Sequence, residues 1–325
     1  MTQIRSTRSR RGFTAVEILV VMAILAVLIG IITPAINSAR ESAQRAKCSS
    51  NLMQIGHAVH NHENTFRRFP TGGWGTLWNG HADRPNNRQQ PGGWAYNLLP
   101  FLDQKQTHLL GPAAVQTKLA IYNCPSRRRA DTLHRQDPLV TYADLAPTPS
   151  EVARGDYAAN LGWVIQNGAI DNTPKGGPAN LAGEATYPWN PPAAFNGIIF
   201  ERSEIDDGDI PRGRSNVYLV GEKTLDPDRY NDGQAPNDNQ NLYSGYSFDA
   251  CRGTAYATPA GTIVIAPQRD ERNKGLGVIP TAGISGAGFG GPHRDGFNML
   301  YCDMSVKVIR YDIDQQIHID AGRRR

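Results

Sequence analysis

The sequence predicts an α+β protein, with one long N-terminal helix packed on a mainly antiparallel β head that carries long loops. Three observations predict it. An apolar run from Phe13 to Thr33 continues, without a loop signal, into helical periodicity as far as Phe66. The second half holds short β-branched runs bounded by turn formers. Between these halves lie loop-like stretches, in a chain of 325 residues with 33 Gly and 22 Pro.

The first element begins with a basic leader: arginines at 5, 8, 10 and 11 and no acid, ending at Gly12-Phe13. At about 1.5 Å rise per residue, Phe13 to Ile32 makes a helix of roughly 30 Å, enough to span a bilayer's hydrocarbon core. The leader's charge keeps it cytoplasmic and sends everything after Pro34 outside. Glu17 is the one acid in the run. An ionised carboxylate at bilayer depth costs at least a few kcal/mol, so Glu17 calls for a partner. A secretory signal would be shorter and end in a small-residue cleavage site, whereas this run is full length and carries its glycine on the basic side.

Beyond Pro34, small residues at Ala35, Ala39, Ala43 and Ala46 give way to Leu52, Ile55 and Val59, which recur on one helix face. That face is expected to lie against the head. Pro34 removes a backbone donor, which predicts a kink or local melting. His57, His60 and His62 lack a completing ligand apart from Glu63 and read as surface or packing residues.

In the head, 69–93 is a Gly/Pro/Asn-rich loop with two tryptophans, and WAYNLLPFLDQ at 94–104 is a short helix broken or bounded by Pro100. IYNCPSRRR at 121–129 suggests a strand leading to a turn, and DYAANLG at 156–162 is a compact element in a loop-like region. NGIIF (196–200), SNVYLVGEK (215–223) and TIVIA (262–266) read as strands. FNMLYCDMSVKVIRYD (297–312) reads as a hairpin turning at Asp303-Met304. The glycine run at 283–291 matches no phosphate-binding pattern.

Net charge is +4, and loss of the four leader arginines leaves the mature chain close to neutral. That argues against a nucleic-acid binder, which needs a clustered basic face, and no nucleic-acid partner is expected. The Arg triplets at 127–129 and 323–325 read as solvated surface or tail. All four cysteines, Cys48, Cys124, Cys251 and Cys302, follow the membrane segment and so sit in an oxidising compartment. Their spacing is not zinc-like. Of three possible connectivities, Cys48 with Cys124 and Cys251 with Cys302 is favoured.

The leader, Gly12-Phe13 junction and apolar helix resemble the signal of type IV pilins and type II secretion pseudopilins. The resemblance implies cleavage after Gly12 by a prepilin peptidase, methylation of Phe13, and pairing of Glu17 with the N-terminal amine of a neighbouring like subunit. Segments along most of the chain extend it. CSSNLMQIGHAVHNHENTFRRFP, IYNCPS, DYAANLG, SNVYLVGEK and GGPHRDGFNMLYCDMSVKVI resemble a planctomycete pseudopilin-like family of unknown function, sometimes grouped with extracellular solute-binding proteins. That family carries a C-terminal His-x9-Asp-Gly signature, met here by His293 and Asp303 but with Met304 in place of the glycine. A two-residue hairpin turn suits Met poorly, so a strained, longer or shifted turn is expected. The insertion DIPRGR after Gly208 is a second departure. An extended strand of about 3.3 Å per residue over 297–302 keeps His293 and Asp303 too far apart to share an ion, so both read as turn or packing residues.

The expected organisation is a cleaved cytoplasmic leader (1–12), a transmembrane helix (13–33), its extracellular continuation (34–66) and an extracellular head (67–325). The function expected is that of a structural subunit, anchored in the inner membrane, in contact with lipid and with like subunits. The alternative is a membrane-tethered binder of an extracellular solute or glycan, with Trp74, Trp78, Trp94, Trp163 and Trp189 offering faces for sugars. No recognisable catalytic constellation appears, although SEIDDG and GEK concentrate charge. No cofactor is expected beyond possible calcium at Asp206, Asp207 and Asp209, or at Asp226 and Asp228, neither in an EF-hand pattern.

Overall fold

The computed structural model describes residues 14–135, 141–165, 175–235, 237–258, 261–272 and 288–325. Two compact units result, 1–44 and 45–325.

The N-terminal unit is the first part of helix α1 (Ala15–Phe66). Apolar side chains are exposed all round it, with Val16 at 70% and Ile29 at 63%. A helix apolar on every side is built for lipid or for other helices. It passes through Pro34 without interruption, so the expected melting does not occur. Thr33 donates its hydroxyl to Ile29 O at 2.8 Å, one residue from the bond that proline forfeits.

In the second unit, α1 buries Cys48, Leu52, Ile55, Ala58 and Val59. Full burial of each large apolar side chain stabilises by roughly 1.5–3 kcal/mol. The helix stops at Arg67, whose left-handed φ of 59° breaks the repeat. Arg214 reaches back to Glu63, tying the loop with the insertion to the helix end.

The head is organised by a six-stranded sheet. Two outlying strands, β1 (Thr132–His134) and β2 (Glu151–Ala153), pair with each other, as do the two-residue β7 (Gln268–Arg269) and β8 (Gly290–Gly291). The main sheet holds β3 (Tyr157–Ile165), β4 (Tyr218–Glu222), β5 (Cys251–Thr258), β6 (Gly261–Val264), β9 (Phe297–Tyr301) and β10 (Val306–Ile309). Their order is β10-β9-β4-β3-β5-β6, antiparallel except for the β3–β5 pair. Strand β9 shows the alternation that places a sheet between two layers. Leu300 joins the core under α1, whereas Phe297, Met299 and Tyr301 pack on the other face with Tyr218 and Phe289. Helix α4 (Gln315–Gly322) packs on β3 and β5.

The segments expected as helix α2 (Trp94–Asn97) followed by a 3-10 turn (Leu99–Leu102), as β4 and as the β9–β10 hairpin are found. The strand expected at 196–200 is not. Gly197 crosses directly over β3, where an added Cβ would lie 2.1 Å from Leu161 C, and Asn160 O accepts from Ile198 N and Ile199 N. The chain there is a strap over the Gly162 irregularity. Residues 120–122 form a 3-10 turn instead of a strand.

The hairpin turn is longer than two residues. Met304 N donates to Tyr301 O at 3.0 Å and Tyr301 N to Ser305 O at 2.9 Å, a type I turn closed by a bulge. Met304 takes the left-handed position with φ 68°. Its side chain packs on the main core, where Gly56 leaves room for its sulfur and for Leu300.

Candidate functional site

At the assembly end, Gly12 and Phe13 lie outside the described residues. Thr14 and Glu17 form a reciprocal cap at the start of α1. Glu17 Oε2 accepts from Thr14 N at 2.8 Å and from Thr14 Oγ1 at 2.9 Å, and Glu17 N donates to Thr14 Oγ1 at 3.3 Å. The carboxylate is thus turned toward the chain's own N-terminal end, held by the backbone N–H of Thr14, the residue just before the helix.

The second constellation is buried in the head, and the sequence expectations missed it. Arg127 and Arg128, expected on the surface, have side chains only 0% and 2% exposed. Arg127 Nε donates to Asp270 Oδ2 at 2.7 Å, and its remaining donors reach the carbonyls of Asp156, Gly290 and Lys223. Arg128 pairs with Asp156 at 2.7 Å and with Asp238 at 2.5 Å. Asp238 also takes Lys223 Nζ at 2.9 Å. Burial alone would raise the Asp238 pKa, but Arg128 and Lys223 hold it well below the usual carboxylate range. Arg324 is likewise buried, donating to the carbonyls of Phe195 and Gly197, and burial lowers its pKa to about 10. The GEK sequence at 221–223 had shown only charge; its place at the end of the buried strand β4 was the available signal.

This network braces a disulfide. Cys48 of α1 and Cys124 of the 121–129 segment are bonded, with Cα atoms 5.2 Å apart. Asp156 Oδ2 accepts from Cys124 N at 2.8 Å, linking the bridge to Arg128. On its other side stands His293, buried, with Nε2 3.8 Å from Cys124 Sγ and 3.3 Å from Glu222 Oε1. Glu222 Oε2 is held by Asn298 N at 2.7 Å. Asp303 is elsewhere, in the exposed hairpin turn, accepting from Ser305 N and Oγ.

The second expected disulfide is overturned. Cys251 and Cys302 are both buried free thiols. Cys251 opens β5 and Cys302 follows β9, with β4 and β3 between those strands. Three strand spacings, about 14 Å, exceed a disulfide's reach. Burial pushes the Cys251 thiol up to about 12.

The calcium candidates serve local structure. Asp206 caps a 3-10 turn through Gly208 N, Asp209 returns to Asp206 N, and Asp207 pairs with Arg214 at 2.5 Å. Asp226 accepts from Asp228 N, and Asp228 pairs with Arg272. Among the tryptophans, Trp74, Trp78 and Trp94 are fully buried anchors with their indole N–H groups on Arg88, Pro178 and Ala250 carbonyls, so none offers a face to a sugar. His62 is buried, which lowers its pKa to about 4, while His57 and His60 are exposed.

A capped N-terminal helix whose first stretch, to Ile32, is apolar but for Glu17, followed in the chain by an α+β head, is the organisation of a pseudopilin-like protein. Residues 37–316 match the family described as "Protein of unknown function (DUF1559)", and the chain belongs to that family. Residues 7–33 match the prokaryotic N-terminal methylation motif, which implies prepilin-peptidase processing and subunits that assemble together. The chain is also similar to the type II secretion system core protein G of Klebsiella pneumoniae, 33% identical over 93 residues. That match spans 28% of this chain and 66% of the relative. No solved structure matches.

Proposed function

We propose that this chain is a pseudopilin-like structural subunit of a cell-envelope secretion or pilus-like assembly. The observation that carries the reading is the apolar, outwardly unpartnered start of α1 with Glu17 as its acid, inside a segment that matches the methylation motif. Prepilin peptidase cuts after Gly12 and Phe13 is methylated. Glu17 then exchanges its Thr14 partner for the amine of a neighbouring subunit. Lipid surrounds the helix in the inner membrane, with the leader inside and the head in the periplasm or at the cell surface. The role is mechanical, and catalysis forms no part of it.

The alternative, a tethered binder of an extracellular solute or glycan, would use the cavity of about 360 Å³ bounded by Trp189, Glu201 and Arg324. Arg202 already lies over the Trp189 ring at 4.5 Å, which leaves less of that platform for a sugar. The test is expression of the full chain alongside a prepilin peptidase. Intact mass should show loss of 1–12 and gain of one methyl group, and Gly12→Trp should remain uncut. Glu17→Ala should insert normally yet lose crosslinked multimers. Unchanged multimers in Glu17→Ala, or normal processing of Gly12→Trp, would sink the proposal.

A further inference from the structure

We propose that Cys48, Cys124, His293 and Glu222 form a tetrahedral zinc site when the two cysteines are reduced, so that disulfide and metal are alternative closures of one buried centre. One ligand atom from each of the four lies within 4.8 Å of the others, and all four residues are buried. Zinc–ligand bonds of about 2.0–2.3 Å give a tetrahedron with edges of about 3.3–3.8 Å. Two edges already fit, 3.3 Å between His293 Nε2 and Glu222 Oε1 and 3.8 Å between His293 Nε2 and Cys124 Sγ, whereas the two sulfurs, now bonded, must separate to about 3.8 Å on reduction.

The carboxylate supplies an independent pointer. Glu222 is fully buried, its Oε2 is fixed by Asn298 N, and its Oε1 accepts no hydrogen bond among the described residues, its near neighbour being His293 Nε2 at 3.3 Å. A buried acceptor left open costs free energy, and here it faces the imidazole and the sulfurs. Asn298 is placed as an outer-shell group that orients a ligand, while Asp156 on Cys124 N orients the loop that carries a thiol. The four ligands come from four of the segments that carry the family resemblance: the α1 continuation, the CPS turn, the end of β4 and the stretch before β9.

The chemistry is balanced. A dithiol reductant gives two electrons and two protons, the S–S bond breaks, two thiols form, and the reductant leaves as its own disulfide. Zinc then displaces two protons and makes two Zn–S bonds without changing oxidation state. With the disulfide intact only the imidazole and carboxylate remain, too few to hold the ion.

The experiment uses the full chain in detergent micelles. One portion keeps its disulfide; the other is unfolded with a water-soluble phosphine, which becomes its oxide, and refolded with Zn²⁺ or Co²⁺ under argon. The reduced chain should bind one metal, the oxidised chain none, and the cobalt form should show thiolate-to-metal charge-transfer absorption. His293→Gln and Glu222→Gln should each weaken binding at least about tenfold, and Cys48→Ser/Cys124→Ser should abolish the band. A reduced chain with native tryptophan fluorescence and no metal would overturn the proposal. So would a band that survives in the double serine variant, which would assign it to Cys251 and Cys302, or failure of the reduced chain to refold with zinc present.

Discussion

Arg127→Met tests whether the buried charges brace the head. The substitution keeps most of the aliphatic volume and removes the guanidinium. Asp270, 1% exposed, then loses its ionic partner and, among the described residues, retains Tyr230 OH at 2.5 Å and Leu225 N at 2.9 Å. Breaking one side of a buried pair costs about 3–5 kcal/mol. The carbonyls of Asp156, Gly290 and Lys223 also lose a donor, though Asp156 O keeps Lys223 N at 3.1 Å, and the two remaining donors soften the loss at Asp270, so about 4 kcal/mol is the expected cost. Adding Asp270→Asn removes the stranded charge and should restore about 1–3 kcal/mol. Urea unfolding of the full chain in micelles, followed through the buried Trp74, Trp78 and Trp94, measures both. A cost below about 1 kcal/mol for Arg127→Met, or simple additivity in the double variant, would refute the reasoning.

Met304 sits at φ 68° with its side chain on the core, so Met304→Gly gives up packing but relieves the left-handed strain, whereas Met304→Ala gives up packing and keeps the strain. The glycine variant should be more stable than the alanine variant by about 1 kcal/mol; equal melting would contradict the turn geometry. Burial raises Glu201 to about 7 against an ordinary 4.5, so the native state holds a proton that the unfolded state releases between those values. This contribution is fully present below pH 4.5 and is lost as pH rises to about 7, by up to about 3 kcal/mol. Glu201→Gln should gain on the native chain across that interval in urea titrations, and parallel curves would refute it.

The sequence made the helix legible because its signal is local: Leu52, Ile55 and Val59 declare a face, and a twenty-residue run, apolar but for Thr14 and Glu17, declares a span. The β9–β10 hairpin was legible for the same reason. Arg127 and Arg128 were not, since an RRR triplet looks identical whether solvent or Asp156, Asp238 and Asp270 receive it, and those partners are remote in the chain. The Cys251–Cys302 pairing failed on sheet order, which places two strands between β5 and β9. His293 read as a turn or packing residue because its neighbours are Gly, Pro and Arg; it is indeed packed in the interior, but only the fold brings it to Glu222 and the disulfide.

The sheet order also sets a timetable. Strand β4, which carries Glu222, is flanked by β3 and by β9, and β9 pairs with β10, so the six-stranded sheet is complete only once residue 309 has been made. At synthesis rates of about 5–20 residues per second, roughly ten to fifty seconds separate the end of α1 from that moment. During this interval Leu52, Ile55 and Val59 have no sheet to cover them, and Cys48 waits for Cys124 with its thiol open to any passing partner. The anchor is in place first, and the nascent head must be guarded from its neighbours while the last hairpin is still on the ribosome.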